Sequence, residues 1–114
     1  MISQKREGRA SALIQKLAAE FIGREISSPG ILITVSRIEI SRAFQEVKIF
    51  VTIWPESREK EIMKSLENSK KEFYEYMKEH FKVKYMPAFE FRVDRGEKAR
   101  QKVEEILSKE NTAS

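Results

Sequence analysis

The spacing of apolar residues changes period across Ser27-Ser28-Pro29-Gly30, and this change constrains the fold more than any other feature of the chain. Before it, Ala10, Leu13, Ile14, Leu17, Ala18, Phe21 and Ile22 recur at three and four residues, with Lys16, Glu20 and Arg24 opposite. That spacing predicts an amphipathic helix from about Lys5 to Glu25. Proline disfavours helix in the residue before it and glycine frees the turn, so the helix stops there and a strand starts near Ile31. Ile31, Ile33 and Val35 alternate, then the phase shifts to Ile38 and Ile40, which a one-residue β-bulge near Ser36-Arg37 reconciles. After the polar turn Ser41 to Glu46, Val47, Ile49, Val51 and Ile53 alternate again, as the second arm of an antiparallel hairpin.

Pro55 ends that arm. From Ser57 to Phe81 the residues Ile62, Leu66, Ser69, Phe73, Met77 and Phe81 share one stripe, which is one long helix or two abutting ones. Val83, Tyr85, Pro87, Phe89, Phe91 and Val93 then occupy odd positions, predicting a third strand from Lys82 onward. Pro87 places that strand at an edge, or itself at a bulge or strand start. Ala99, Val103, Ile106 and Leu107 mark a short closing helix. The expected architecture is α+β, in the order α-β-β-α(α)-β-α, with helices on one face of a three-stranded sheet. It forms a single domain over residues 1–108, and residues 109–114 form a disordered tail.

A chain of 114 residues supports one small core. Charged residues make up 35%, against about 25% in an ordinary domain, and no apolar run approaches the roughly 18 residues of a membrane span. The N-terminal MISQKREGRAS has no apolar segment behind its charges, so no secretory leader is expected. The absence of cysteine removes thiol chemistry and fits a reducing cytoplasm. Catalytic means are sparse: the chain has one histidine, His80, and one aspartate, Asp94. Tyr74 and Lys78 form a YxxxK pair, but there is no glycine-rich turn to hold a dinucleotide, and Gly8, Gly23, Gly30 and Gly96 stand isolated. The expectation is a protein that is not an enzyme, with no cofactor, no metal and no small-molecule substrate.

The net charge of +4 is unevenly spread. Residues 1–53 carry eight basic and five acidic side chains, residues 54–81 six and seven, and residues 82–98 five and three. Basic side chains interleaved with aromatics on a sheet suit RNA, because phosphates attract Lys and Arg while unpaired bases stack on π-faces. The expected RNA-binding residues are Lys48, Lys84 and Arg92, clustered beside Phe50 on the wet sheet face, with Arg42 at the hairpin turn and Arg95 at the far end. Lys70 and Lys71 join them if Ser69 bends the long helix by bonding back to a preceding carbonyl. The competing reading is a protein–protein adaptor that uses an exposed strand edge.

The stretches Ile33-Thr34-Val35-Ser36-Arg37-Ile38-Glu39-Ile40-Ser41-Arg42, Val47-Lys48-Ile49-Phe50-Val51-Thr52 and Met86-Pro87-Ala88-Phe89-Glu90-Phe91-Arg92-Val93-Asp94, with Leu66 between the last two, resemble the ribosome-binding factor A family from about Arg9 to Leu107. The Pro-x-Φ-x-Phe-x-x-Asp pattern of the last stretch is the most specific piece. The resemblance implies a type II KH-like fold. It also implies a non-enzymatic assembly factor, expected as a monomer, that binds the immature small ribosomal subunit and its ribosomal RNA and assists late rRNA maturation, notably in the cold. The family's Ala-x-Gly helix kink reads Ser69-Lys70-Lys71 here, and the aspartate that commonly follows the Ser-Arg pair is Ala43.

Overall fold

A computed structural model describes the backbone of residues 2–112 and the side chains of residues 8–108. Helix α1 runs Ile2–Glu25. It buries Ile14, Leu17, Ala18, Phe21 and Ile22, while Leu13, at the margin of the predicted stripe, stays exposed. The Ile31 amide donates to the Ser28 carbonyl at 3.1 Å, closing a turn with Pro29 and Gly30 at its centre. Gly30 has φ +82°, and the turn therefore has the Pro-Gly signature of type II.

Strands β1 (Leu32–Ile40) and β2 (Glu46–Trp54) pair antiparallel. Val35 faces Val51 and Arg37 faces Phe50, so Ser36 is the extra residue of the bulge that the phase shift predicts. The bulge keeps Val35 and Ile38 on the core side and turns Arg37 outward. A 3-10 turn over Arg42–Phe44 joins the arms, with Ala43 and Phe44 both at φ 59°. Strand β3 (Ala88–Val93) lies along the other edge of β2 and runs parallel to it, from Glu46 opposite Ala88 to Val51 opposite Val93.

Between β2 and β3 the chain forms two abutting helices, α2 (Glu59–Asn68) and α3 (Lys70–His80). The break is at Ser69, which leaves helical geometry at φ −97°, ψ 9°, yet still donates its amide to the Ser65 and Leu66 carbonyls and accepts from the Phe73 amide. Its side chain makes neither a capping bond nor a bond back to a preceding carbonyl among the described residues, so the bend lies in the backbone. The apolar stripe survives the break, and Ile62, Leu66, Phe73, Met77 and Phe81 are all buried. Phe73 sits at the centre, with ring centroids at 5.2 Å from Phe21, 5.2 Å from Phe89 and 5.0 Å from Phe91, all edge-to-face.

Two expectations need correction. Residues 82–87 form a loop, not the start of the third strand, and Val83 and Tyr85 are exposed in it. Pro87 has no amide to give a ladder, so pairing begins at Ala88, whose amide donates to the Gln45 carbonyl at 2.9 Å. Pro87 is therefore the residue before a strand start, and β3 is also an edge.

The last helix, α4 (Arg95–Thr112), does not close the core, because Val103, Ile106 and Leu107 are each at least half exposed. Helices α1 to α3 cover one face of the sheet. The first half of α4 shares a groove with Leu32, Thr34, Thr52 and Trp54 at the other side of its end. Lys98 pins it there through ion pairs to Glu56 at 2.8 Å and Glu59 at 2.9 Å. The helix continues through Thr112, over most of the stretch expected as a tail, and residues 113–114 lie outside the described residues.

Candidate nucleic-acid interface

The sheet face turned away from the helices is not the basic surface its lysines and arginines suggest. Lys48 lies between Glu39 of β1 and Glu90 of β3, and Arg92 is paired with Glu90 at 2.9 Å. Acids and bases alternate across the three strands, and much of the field there cancels.

Along the β3 side of the molecule a cleft of about 620 Å³ is lined by Arg37, Glu59, Lys60, Arg92 and Arg95. Carboxylates just outside it hold Arg37 (Asp94 and Glu39) and Arg92 (Glu90), so its open charge is carried by Lys60 and Arg95. Its apolar lining includes Phe50, Met63, Phe91 and Val93. Five elements build it: the β1 bulge, β2, the first turns of α2, edge strand β3 and the start of α4. Lys60 is exposed and makes no ion pair among the described residues, and Arg95, 76% exposed, is only 3.9 Å from Glu59.

Arg37 is held from several sides. Its Nε donates to Asp94 Oδ2 at 3.1 Å, its Nη1 pairs with Glu39, and its guanidinium carbon lies 3.8 Å from the Phe50 ring centroid. Asp94 is the hub. Buried, it accepts from Ser36 Oγ at 2.6 Å and, through Oδ1, from the Glu97 amide at 3.0 Å, capping α4. The Ser36 hydroxyl, the Glu97 amide and the Arg37 guanidinium hold its carboxyl below the ordinary aspartate range, against the opposing effect of burial. The arrangement presents a pre-set planar cation over an aromatic face, a form that suits phosphate and base recognition.

Of the seven residues predicted from sequence, Arg92 and Arg95 meet in this cleft, and Lys48 lies two residues along β2 from Phe50 on the open face. Arg42 and Lys84 lie elsewhere, at the opposite end of the sheet, and Lys84 is in the 82–87 loop instead of on the strand face beside Phe50. Lys70 and Lys71 begin α3 at the kink. Lys70 pairs with Glu67 at 3.6 Å, and Lys71 lines a groove with Glu25, Glu72, Glu75 and Glu79. Arg37 and Lys60 were missed. The bulge was the available signal for Arg37, since the same phase shift turns it outward beside Phe50. Lys60 needed knowledge that α2 packs against β3.

His80 is exposed at the end of α3, its Nδ1 2.9 Å from the Tyr76 carbonyl. Among the described residues, no group of three His, Cys, Asp or Glu is placed to hold a metal, and no helix is long and apolar enough to cross a membrane.

An antiparallel hairpin, a kinked helix pair and a third strand returning parallel to the second, with an extra helix at the C-terminal end, define a type II KH-like domain. The sequence profile described as ribosome-binding factor A matches residues 6–107, so the chain belongs to the ribosome-binding factor A family, a family of ribosome-binding factors and not of enzymes. A ribosome-binding factor A from Syntrophomonas wolfei is 29% identical over 98 residues, covering 82% of this chain and 80% of that protein. The crystal structure of ribosome-binding factor A from Thermus thermophilus superposes with a TM-score of 0.66 at 18% identity, over 75% of this chain and 93% of that one. The Thermus thermophilus homology model fitted into a cryo-EM map of a 30S complex gives a TM-score of 0.61 at 19% identity, over 74% and 90%. Pro87, Phe89, Phe91 and Asp94, the most specific pieces of the resemblance, are all buried. That motif marks the packing of β3 and the capping of α4.

Proposed function

We propose that this protein binds the immature small ribosomal subunit, contacts its ribosomal RNA and assists late maturation of that RNA without catalysing a reaction of its own. It works in the cytoplasm as a monomer, and the demand for it is greatest in the cold. Membership of the family carries this reading, together with the complex in which the Thermus relative is placed on a 30S particle. The cleft supports it physically, with Lys60, unpaired among the described residues, the exposed Arg95 and the carboxylate-held Arg37 and Arg92 around an aromatic surface beside an edge strand. Arg42, Lys48, Lys70, Lys71 and Lys84 extend the contact on other sides of the molecule.

With a net charge of only +4, the protein binds a shaped ribosomal site well and arbitrary duplex weakly. About five to eight phosphate contacts give a fall of log affinity against log salt with a slope of several units. The test is co-sedimentation of the purified protein with small subunits, large subunits and joined ribosomes across a salt series. Selective, salt-sensitive pelleting with free small subunits is the expected result. Equal pelleting with all three, or with none, removes the assembly-factor reading. It would bring forward the adaptor, which the exposed Val103, Ile106 and Leu107 of α4 favour.

A further inference from the structure

A second group of cations and one aromatic ring lies outside the cleft, at the opposite end of the sheet. The 82–87 loop leaves α3 at Phe81 and enters β3 at Ala88, and both ends are tied to the hairpin turn. The Phe81 ring stacks on Phe44 with centroids 5.9 Å apart, and the Ala88 amide donates to the Gln45 carbonyl at 2.9 Å. The turn itself is set. Ser41 donates its amide to the Glu46 carbonyl at 2.9 Å, its Oγ accepts from the Glu46 amide at 2.7 Å, and Ala43 and Phe44 both take left-handed backbone angles. Such angles cost non-glycine residues on the order of 1 kcal/mol each and persist only where the surroundings impose them.

Between those anchors Lys82, Val83, Lys84 and Tyr85 are all exposed. Tyr85 is 77% exposed, more than any other large hydrophobic side chain among the described residues, and its one ring neighbour is Lys84 Nζ, 5.4 Å from the centroid. Arg42, Lys82 and Lys84 make no ion pair among the described residues, unlike Arg37 and Arg92, which are held by carboxylates. The acids at this end include Glu46 and Glu79, with His80 beside Glu79 in sequence, and Glu39, which lines a pocket with Ser41 and Glu46 but is paired with Arg37. An exposed aromatic amid unpaired cations, on a loop fixed at both ends, matches the requirement of single-stranded nucleic acid, a π-face for a base and charges for its flanking phosphates.

We infer that the 82–87 loop and the 41–46 turn form a second RNA contact, in which Tyr85 stacks on an unpaired base and Lys82, Lys84 and Arg42 take the neighbouring phosphates. The inference rests on the reading that the protein contacts ribosomal RNA, and it adds that one segment of that RNA is single-stranded where it meets this end. The β3 strand separates the two contacts by on the order of 20 Å. Both therefore engage one particle and reinforce each other through effective concentration.

The test compares Tyr85→Ala, Tyr85→Phe, the pair Lys82→Glu with Lys84→Glu, and the pair Lys60→Glu with Arg92→Glu. Each is titrated with isolated small subunits, and NMR follows the Tyr85 ring protons of the wild type as a 12-nucleotide oligoadenylate is added. Tyr85→Ala is expected to weaken subunit binding by roughly 5- to 100-fold, the usual worth of one stacked base. Tyr85→Phe is expected to bind as the wild type does, and oligoadenylate to shift the ring signals upfield. If Tyr85→Ala and the Lys82/Lys84 pair bind like wild type while the Lys60/Arg92 pair loses affinity, this second contact is refuted and the functional reading stands. If no variant loses affinity, the functional reading falls with it. A loss in Tyr85→Ala that Tyr85→Phe shares refutes stacking.

Discussion

The Ser36 hydroxyl donates to Asp94 Oδ2 at 2.6 Å across 58 residues of sequence, joining the β1 bulge to the first turn of α4. The same carboxylate caps α4 and holds Arg37 over Phe50, so one buried group sets the strand, the helix and the cleft cation together. Asp94→Ala is expected to destabilise by about 2 to 4 kcal/mol, a lost cap plus a lost charged hydrogen bond, as read by urea unfolding. Ser36→Ala is expected to cost about 1 kcal/mol.

A pH dependence follows from the same group. Asp94 has a native pKa below its unfolded value near 3.9, so its contribution to stability is complete above that value and is lost as pH falls through the lower native one. The wild type should therefore lose stability below about pH 4 more steeply than Asp94→Asn. NMR titration should place the Asp94 carboxyl of Ser36→Ala closer to the ordinary range, because the largest contribution to the shift is removed.

Phe73, fully buried and edge-on to three rings, is expected to cost about 3 to 5 kcal/mol on truncation to alanine. A loss below about 1 kcal/mol in denaturant unfolding would mean that the helix pair does not face the sheet through this ring.

Gly30→Ala meets no steric obstacle, since no atom lies within 4 Å of an added Cβ, but the φ of +82° remains. The expected cost is on the order of 1 kcal/mol, expressed as a lower Tm with the fold unchanged by circular dichroism.

Charge reversal separates the basic groups. Lys60→Glu with Arg92→Glu should weaken small-subunit binding more than tenfold and reduce the log-salt slope by about two, since two phosphate contacts go. Lys70→Glu with Lys71→Glu should weaken binding with folding intact, but by less, because Glu67 already pairs with Lys70 and four glutamates surround Lys71. An equal or larger loss at the kink would move the main contact to the helix pair.

What the sequence revealed depended on whether a pattern has a single physical cause. The bulge at Ser36 was legible because little besides an inserted residue shifts the phase of a strand. The α2–α3 break had a legible place, at a serine interrupting an apolar stripe, but the stripe alone allowed one helix or two, because it continues in phase across Ser69. Val83 and Tyr85 misled because alternation in a short run also arises in a loop, while two of the places open to Pro87, an edge strand and a strand start, are both taken. Val103, Ile106 and Leu107 misled because helical spacing shows that a face exists but does not show that anything covers it. The cleft was the least legible feature. Arg37, Lys60, Arg92 and Arg95 come from four elements, and the acids beside Lys48 lie on the two neighbouring strands.

The parallel pairing of β3 with β2 has a consequence during synthesis. Glu46 and Ala88 are partners 42 residues apart, whereas the β1–β2 hairpin closes through a short turn as soon as both arms exist. A nascent chain therefore holds a finished hairpin with one open inner edge until the helix pair and Pro87 have left the ribosome, a delay of several seconds at about 5 to 20 residues per second. That edge, with only Glu46 and Lys48 as charged residues along it, is where this fold is most exposed to pairing with the wrong strand.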